Sequence, residues 1–345
     1  MKTKRGDSEI SIWIDDADDL WYLKNILTVG DLVTMRVMRR PEKREDALRS
    51  KEEKRVPVTV TVRVESIEFQ EFSSRLKLLG IITEGPENIV GEHQSLIISS
   101  GDDLKIQKDS WSKIQLSLLR EAENRSLKNR GIFVALDDEN AEIMVMRSYG
   151  IQVLATIRSG RSGKLYESRN REKDYFNEIA DSLSKISGDI QLITIIGPGF
   201  TREKLLDFLK ADVRFTDKII KSYPANRADE VAVYEYLHSE DGMKSFAEAR
   251  LSRENELLSK FMAELSRDGM YAYGFDDVMN ALRMGAVDTV IIAESKLPAE
   301  ETDQISREAK NISARVYIFS SSSEPGKIVE EFGGYCAILR YKIAR

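Results

Sequence analysis

Residues 192–209, Leu-Ile-Thr-Ile-Ile-Gly-Pro-Gly-Phe-Thr-Arg-Glu-Lys-Leu-Leu-Asp-Phe-Leu, constrain the fold of this 345-residue chain more than any other stretch. Positions 192–196 are almost all apolar and mostly β-branched, as a strand covered on both faces requires. Gly197-Pro198-Gly199 stops that strand abruptly, and Thr201 is placed to cap a helix whose Leu205, Leu206 and Leu209 share a face. A buried strand feeding a helix through a rigid turn belongs to an α/β domain. The turn admits two uses. Exposed amides at a helix start attract anions, but the third glycine of a dinucleotide fingerprint and the Gly-Lys-Ser/Thr of a P-loop are both missing, and Pro198 removes one amide. An ordinary α/β turn or a docking corner is the other reading.

Length points to two or three domains, since domains usually run to roughly 100–200 residues. With 41% hydrophobic residues and 7 prolines the chain can bury real cores. The basic start Met1-Lys-Thr-Lys-Arg is followed by Gly6-Asp7-Ser8-Glu9 and no apolar run, so no signal peptide is expected. No apolar segment approaches the roughly 18 residues of a membrane span. Cys336 is the single cysteine, which excludes an internal disulfide and fits a reducing cytoplasm. His93 and His238 are the only histidines, and both read as surface or loop residues more readily than as ligands.

The first domain, expected over 1–128, reads as β-rich. Ile10, Ile12 and Ile14 alternate with polar residues, and Asp15, Asp16, Asp18 and Asp19 precede a short helix over 20–27. Carboxylates there suit a helix N-terminus, with Asp18 or Asp19 as cap; the same cluster could supply oxygen ligands to a divalent metal. Val33, Met35 and Val37 open a strand whose partner is Val56, Val58, Val60, Val62 and Val64, an aliphatic face alternating with polar residues. Between them residues 36–55 form a polar loop with nine basic side chains (Arg36, Arg39, Arg40, Lys43, Arg44, Arg49, Lys51, Lys54 and Arg55) and five acidic ones. A +4 projection on a chain of net charge −6 reads either as a polyanion contact or as a solvated hairpin tip. Short strands follow at 76–82 and 96–98, then a helix over 111–128.

The middle domain, 129–242, reads as three strands (132–136, 141–146, 151–157), a helix over 172–186, the opening stretch, a strand at 218–222 and a helix over 227–237, a mixed-sheet α/β pattern. Arg158, Arg161 and Lys164 lie in a Gly/Ser-rich basic loop, suited to RNA phosphate or to service as an exposed linker. The last domain, 243–345, alternates helices (around Leu257, Phe261 and Leu265; 276–284; 300–311) with strands (287–293, 315–319, 334–339) as a three-layer α/β sandwich. Cys336 reads there as core packing.

The order of Asp18-Asp19-Leu20-Trp21 before a helix, Gly30-Asp31-Leu32-Val33 before a strand, the basic hairpin, Gly197-Pro198-Gly199-Phe200, Tyr273-Gly274, Gly285-Ala286-Val287-Asp288 and Ala337-Ile338-Leu339-Arg340 resembles the Pelota family, called Dom34 in yeast, in its archaeal form. The resemblance covers essentially the whole chain. It implies an Sm-like N-terminal domain, an RNase H-like middle domain and an L30e/L7Ae-like C-terminal domain. It further implies a cytoplasmic, monomeric paralogue of the peptide-chain release factor for mRNA surveillance. Such a protein enters the ribosomal A site beside mRNA and tRNA with a translational GTPase, then promotes subunit splitting with a ribosome-recycling ABC ATPase, needing no cofactor or membrane. The hairpin is then expected to probe the decoding centre and mRNA channel, and Pro198, Gly199 and Phe200 to form the GTPase-docking corner. No Gly-Gly-Gln occurs, so hydrolysis of peptidyl-tRNA is not expected. Where the family's last domain tends to read His-x-x-Gly-Glu, this chain has Ser323-Glu324-Pro325-Gly326-Lys327. Two alternatives stay open: an endoribonuclease using Mg or Mn at Asp15, Asp16, Asp18 and Asp19, with Asp137 and Asp138 as second choice, and an RNA-binding module outside translation.

Overall fold

The computed structural model describes residues 1–6, 9–39, 55–70, 73–124, 130–160, 168–188, 190–246 and 250–343. The chain divides into two compact units, residues 1–125 with 297–306 and residues 126–296 with 307–345. Among the described residues lie three successive sheets of seven, five and four strands, in the three-domain α+β organisation expected.

The first sheet comprises β1 (Lys2–Arg5), β2 (Glu9–Trp13), β3 (Leu32–Arg39), β4 (Val56–Gln70), β5 (Arg75–Glu84), β6 (His93–Ile98) and β7 (Asp103–Gln107), with α1 (Ala17–Ile26) and α2 (Lys113–Asn124) beside it. Its order is β1-β2-β7-β3-β4-β5-β6. Val60, Val62 and Val64 are buried together with Leu76, Leu78 and Ile82 of β5, and α1 lies against both strands. The valine alternation outruns the core: Val56 is 42% exposed, because β3 and β4 continue as a two-stranded stem past the covering helix. β1 and β7 were not anticipated from the sequence. Behind β7, Lys108 ion-pairs with buried Asp31, which also accepts from the Thr28 amide at 2.7 Å and its hydroxyl at 3.0 Å. Burial pulls the Lys108 pKa below the usual lysine range, with the Asp31 carboxylate opposing it.

The second sheet has the order β10-β9-β8-β11-β12, from β8 (Gly131–Leu136), β9 (Asn140–Arg147), β10 (Gly150–Arg158), β11 (Leu192–Gly197) and β12 (Ile219–Pro224). β8, β9 and β10 are antiparallel, while β11 runs parallel to both β8 and β12. The near-continuous apolar run of β11 has its reason here. Ile193 and Ile195 pack with Phe176, Ile179 and Leu183 of α3 (Ser168–Ser187) and with Leu205 and Leu209 of α4 (Thr201–Ala211). Ile196 turns to the opposite face, against Val233, Tyr236 and Leu237 of α5 (Glu230–His238). Gly197 cannot be replaced without movement: at φ +152° its Cβ would lie 2.0 Å from the Leu136 carbonyl oxygen.

α6 (Glu240–Ser245) and α7 (Arg250–Ser266) lead into the third sheet, ordered β13-β16-β14-β15. Its strands are β13 (Tyr271–Tyr273), β14 (Val287–Ala293), β15 (Arg315–Phe319) and β16 (Tyr335–Leu339), alternating with α8 (Phe275–Arg283), α9 (Glu300–Asn311) and α10 (Glu324–Glu331). Leu257, Leu258 and Phe261 of α7 and Val329 of α10 pack on Ile291, Phe319 and Cys336. Gly285 ends α8 as expected, at φ +70°, with its amide and that of Ala286 bonded back to Leu282 and Ala281. Cys336 is buried in this core, and burial pushes its thiol up to about 12, so it packs as a hydrophobe.

Candidate functional site

β3 and β4 form the stem on either side of residues 40–54. β3 and β4 pair in register from Leu32 with Arg63 to Arg39 with Val56, and Thr34 and Thr61 hydroxyls share a 2.9 Å bond that Thr61 extends to Glu84 at 3.1 Å. Arg36 and Arg55 are exposed on the stem, and Arg39 makes a 2.6 Å ion pair with Glu92. Met38 stands 57% exposed beside them. Arg40, Lys43, Arg44, Arg49, Lys51 and Lys54 lie outside the described residues. Arg158 is exposed at the end of β10, while Arg161 and Lys164 also lie outside the described residues.

The acidic run serves the N-terminus of α1. Asp16 is the N-cap, where Asp18 or Asp19 was expected, and its Oδ1 accepts from the amides of Asp18 at 2.9 Å and Asp19 at 3.3 Å. Asp19 closes the capping box. Its Oδ2 accepts from the Asp15 amide and sits 2.8 Å from the Met1 amino group, which also lies 3.1 Å from Asp15. Asp18 is buried. Of the second choice, Asp137 accepts from the Glu139 and Asn140 amides, both at 2.8 Å, and Asp138 from the Thr201 hydroxyl. Among the described residues no three His, Cys, Asp or Glu side chains are grouped so as to hold a metal ion.

The middle-domain corner displays an aromatic ring. Phe200 is 78% exposed and occupies the N-cap of α4 at φ −83°, ψ −16°, a helical conformation that makes no side-chain cap bond. A missing cap usually costs about 1 kcal/mol. Thr201, expected as the cap, is instead the first helical residue, and its hydroxyl donates to Asp138. Arg202 donates to Ser222 of β12 at 2.7 Å, and the Ala225 amide to the Gly197 carbonyl at 3.2 Å. The turn is thus tied to β8, β11 and β12, and the ring it carries faces water.

The corner at Ser323–Lys327 holds a buried polar group that the sequence did not suggest. Ser323 N-caps α10, its Oγ accepting from the Gly326 amide at 3.1 Å. That hydroxyl also lies 2.8 Å from Glu254 of α7, whose other oxygen is 3.2 Å from Arg250 Nε. The Glu324 amide reaches Tyr234 of α5 at 3.4 Å. Burial pushes the Glu254 carboxyl up to about 7, with the Arg250 guanidinium and the Ser323 hydroxyl pulling the other way. A carboxyl whose folded pKa lies above its unfolded value holds an extra proton in the folded state, so stability from it is full below about pH 4 and falls as pH rises to 7. The loss is expected to be on the order of 3 kcal/mol. In urea titrations Glu254→Gln should flatten this fall between pH 5 and 7.5, and an unchanged pH slope would place the titration elsewhere.

Among the described residues no helix is long and apolar enough to cross a membrane. The chain matches the Pelota N-terminal domain over residues 1–123 and eRF1 domain 3 over residues 251–343. The pelota homolog of Thermoplasma acidophilum is 39% identical over 336 residues, 97% of either chain. The crystal structure of the Thermoplasma acidophilum Pelota protein superposes with a TM-score of 0.76 at 33% identity, covering 99% of this chain and 100% of that one. The structure of S. cerevisiae Dom34, described as a translation termination-like factor involved in RNA quality control pathways and interacting with Hbs1, shares the fold at a TM-score of 0.53 and 18% identity, covering 99% and 98%.

Proposed function

This chain belongs to the Pelota family, and on that premise we propose that it rescues stalled ribosomes: it enters the A site with a translational GTPase, probes the decoding centre and mRNA channel with residues 36–55, and promotes subunit dissociation with a recycling ABC ATPase. It needs no cofactor of its own for binding, works as a monomer in the cytoplasm and leaves the peptidyl-tRNA ester intact, since it has no Gly-Gly-Gln to position water there. Arg158, Arg161 and Lys164 serve as a second contact to tRNA or ribosomal RNA. One observation carries the reading: a chain of this family has a two-stranded stem of β3 and β4 that exposes Arg36 and Arg55, and a corner whose aromatic is displayed at 78% exposure. The first suits phosphate, where charge neutralisation supplies affinity. The second suits a protein partner, because aromatic anchors dominate interface energetics.

The test is co-sedimentation with purified ribosomes halted on an mRNA lacking a stop codon, with the GTPase and a non-hydrolysable GTP analogue. The protein should migrate with the ribosomes, and adding the ABC ATPase with ATP should yield free subunits and intact peptidyl-tRNA. Failure to co-sediment overturns the proposal; release of free peptide overturns its non-hydrolytic part.

A further inference from the structure

Phe200 stands at a helix start with no side chain of its own turn to cap it. What holds the turn on the β8 side comes from 63 residues earlier, where the Asp138 carboxylate accepts from the Thr201 hydroxyl. Asp138 sits at the tip of the β8–β9 turn, which is itself fixed: the Asp137 amide donates to the Asn140 carbonyl at 3.0 Å, and Asp137 Oδ1 takes two amides. The bond therefore ties the residue next to Phe200 to a rigid hairpin. It also sets a negative charge at the positive end of α4. Thr201 is buried, yet Asp138 is exposed. The bond is part-buried with its carboxylate exposed, so its net contribution to stability is modest, but it removes freedom from a ring that must dock, and preorganisation of that sort raises affinity.

We propose that Asp138 is a positioning residue for the Phe200 corner, acting through Thr201 to hold the ring in its docking pose; this rests on the reading of that corner as the GTPase dock. Asp138 does not touch the partner in this account. It restricts the turn before the partner arrives.

The experiment measures affinity of the full chain for the translational GTPase loaded with a non-hydrolysable GTP analogue, together with the thermal midpoint. Asp138→Ala should weaken binding about 10-fold with the midpoint unchanged. Asp138→Asn, whose amide oxygen still accepts from Thr201, should restore binding to within about 2-fold of the parent. Thr201→Val should reproduce the loss, and the double variant should lose no more than either single one, as coupled partners do. In a Phe200→Trp background, adding Asp138→Ala should lower the fluorescence anisotropy of the new side chain above the constant contribution of Trp13, Trp21 and Trp111. If Asp138→Ala binds as the parent does while Phe200→Ala has lost binding, the positioning role is overturned and the dock survives. If Phe200→Ala binds normally, the dock itself is overturned. A lowered midpoint in Asp138→Ala without rescue by Asp138→Asn marks a merely structural carboxylate and also overturns the proposal.

Discussion

Replacing Arg39, Arg40, Lys43 and Arg44 together with glutamine is expected to weaken binding to stalled ribosomes at least 100-fold at low salt and to flatten its salt dependence. Each phosphate neutralised by a cation releases counterions, so log K falls against log salt with a slope near 0.7–0.9 per contact. Removing four contacts lowers that slope by about 3 units. Between roughly 50 and 200 mM salt, the parent should then lose about 10²-fold more affinity than the variant. The stem should survive, because β3 and β4 are paired by backbone and by the Thr34, Thr61 and Glu84 bonds, none of which the substitutions touch. Only Arg39 among the four has a described partner, Glu92, and an exposed pair of that kind is worth about 0–1 kcal/mol. Loss of affinity with an unchanged slope would mean that the side chains act by shape rather than charge. Unchanged affinity would remove the hairpin from the ribosome contact altogether.

The parts of the fold legible in the sequence are those where a period runs long enough to be read and glycine marks its end. β14, α9 and β15 fall on the spans read from periodicity, 287–293, 300–311 and 315–319, and Gly285 and Gly197 end their elements by backbone geometry that L side chains resist. β13 has three residues, too few to show alternation. α10 was not anticipated, because Pro325 and Gly326 interrupt a helical pattern, although Ser323 as cap with proline in the first turn is a proper helix start. Of the candidate site, the cationic run is a local feature that can be counted in the sequence, whereas the display of Phe200 was expected only through the family resemblance, because exposure depends on how the turn packs. Asp138 with Thr201 and Glu254 with Ser323 are joined across 63 and 69 residues, and no spacing rule links side chains brought together only by the packing of separate elements. The acidic run shows how residue type alone leaves a role open: the same carboxylates suit a cap or a metal, and only the fold shows Asp16 and Asp19 capping α1 and Asp15 and Asp19 beside the Met1 amino group.

Phe200→Ala is expected to weaken GTPase binding about 30-fold or more while leaving the fold intact. The magnitude is that of a central aromatic anchor, for which truncation costs ~2 kcal/mol or above. The indifference of the fold follows from exposure: at 78% the ring buries too little to matter, and surface substitutions of this kind stay within about 0.5 kcal/mol. α4 should not fray, since Phe200 supplies no side-chain cap bond and Asp138 remains on Thr201. The ring's position explains why a phenylalanine is tolerated where serine or aspartate would normally stand. A helix start optimised for stability would turn its first side chain back onto its own amides, whereas this one keeps helical φ and ψ and sends the ring into water. Binding and thermal unfolding of Phe200→Ala separate the two demands. Loss of affinity at a constant midpoint assigns the ring to the partner; a fallen midpoint with normal binding by the folded fraction would return it to the core.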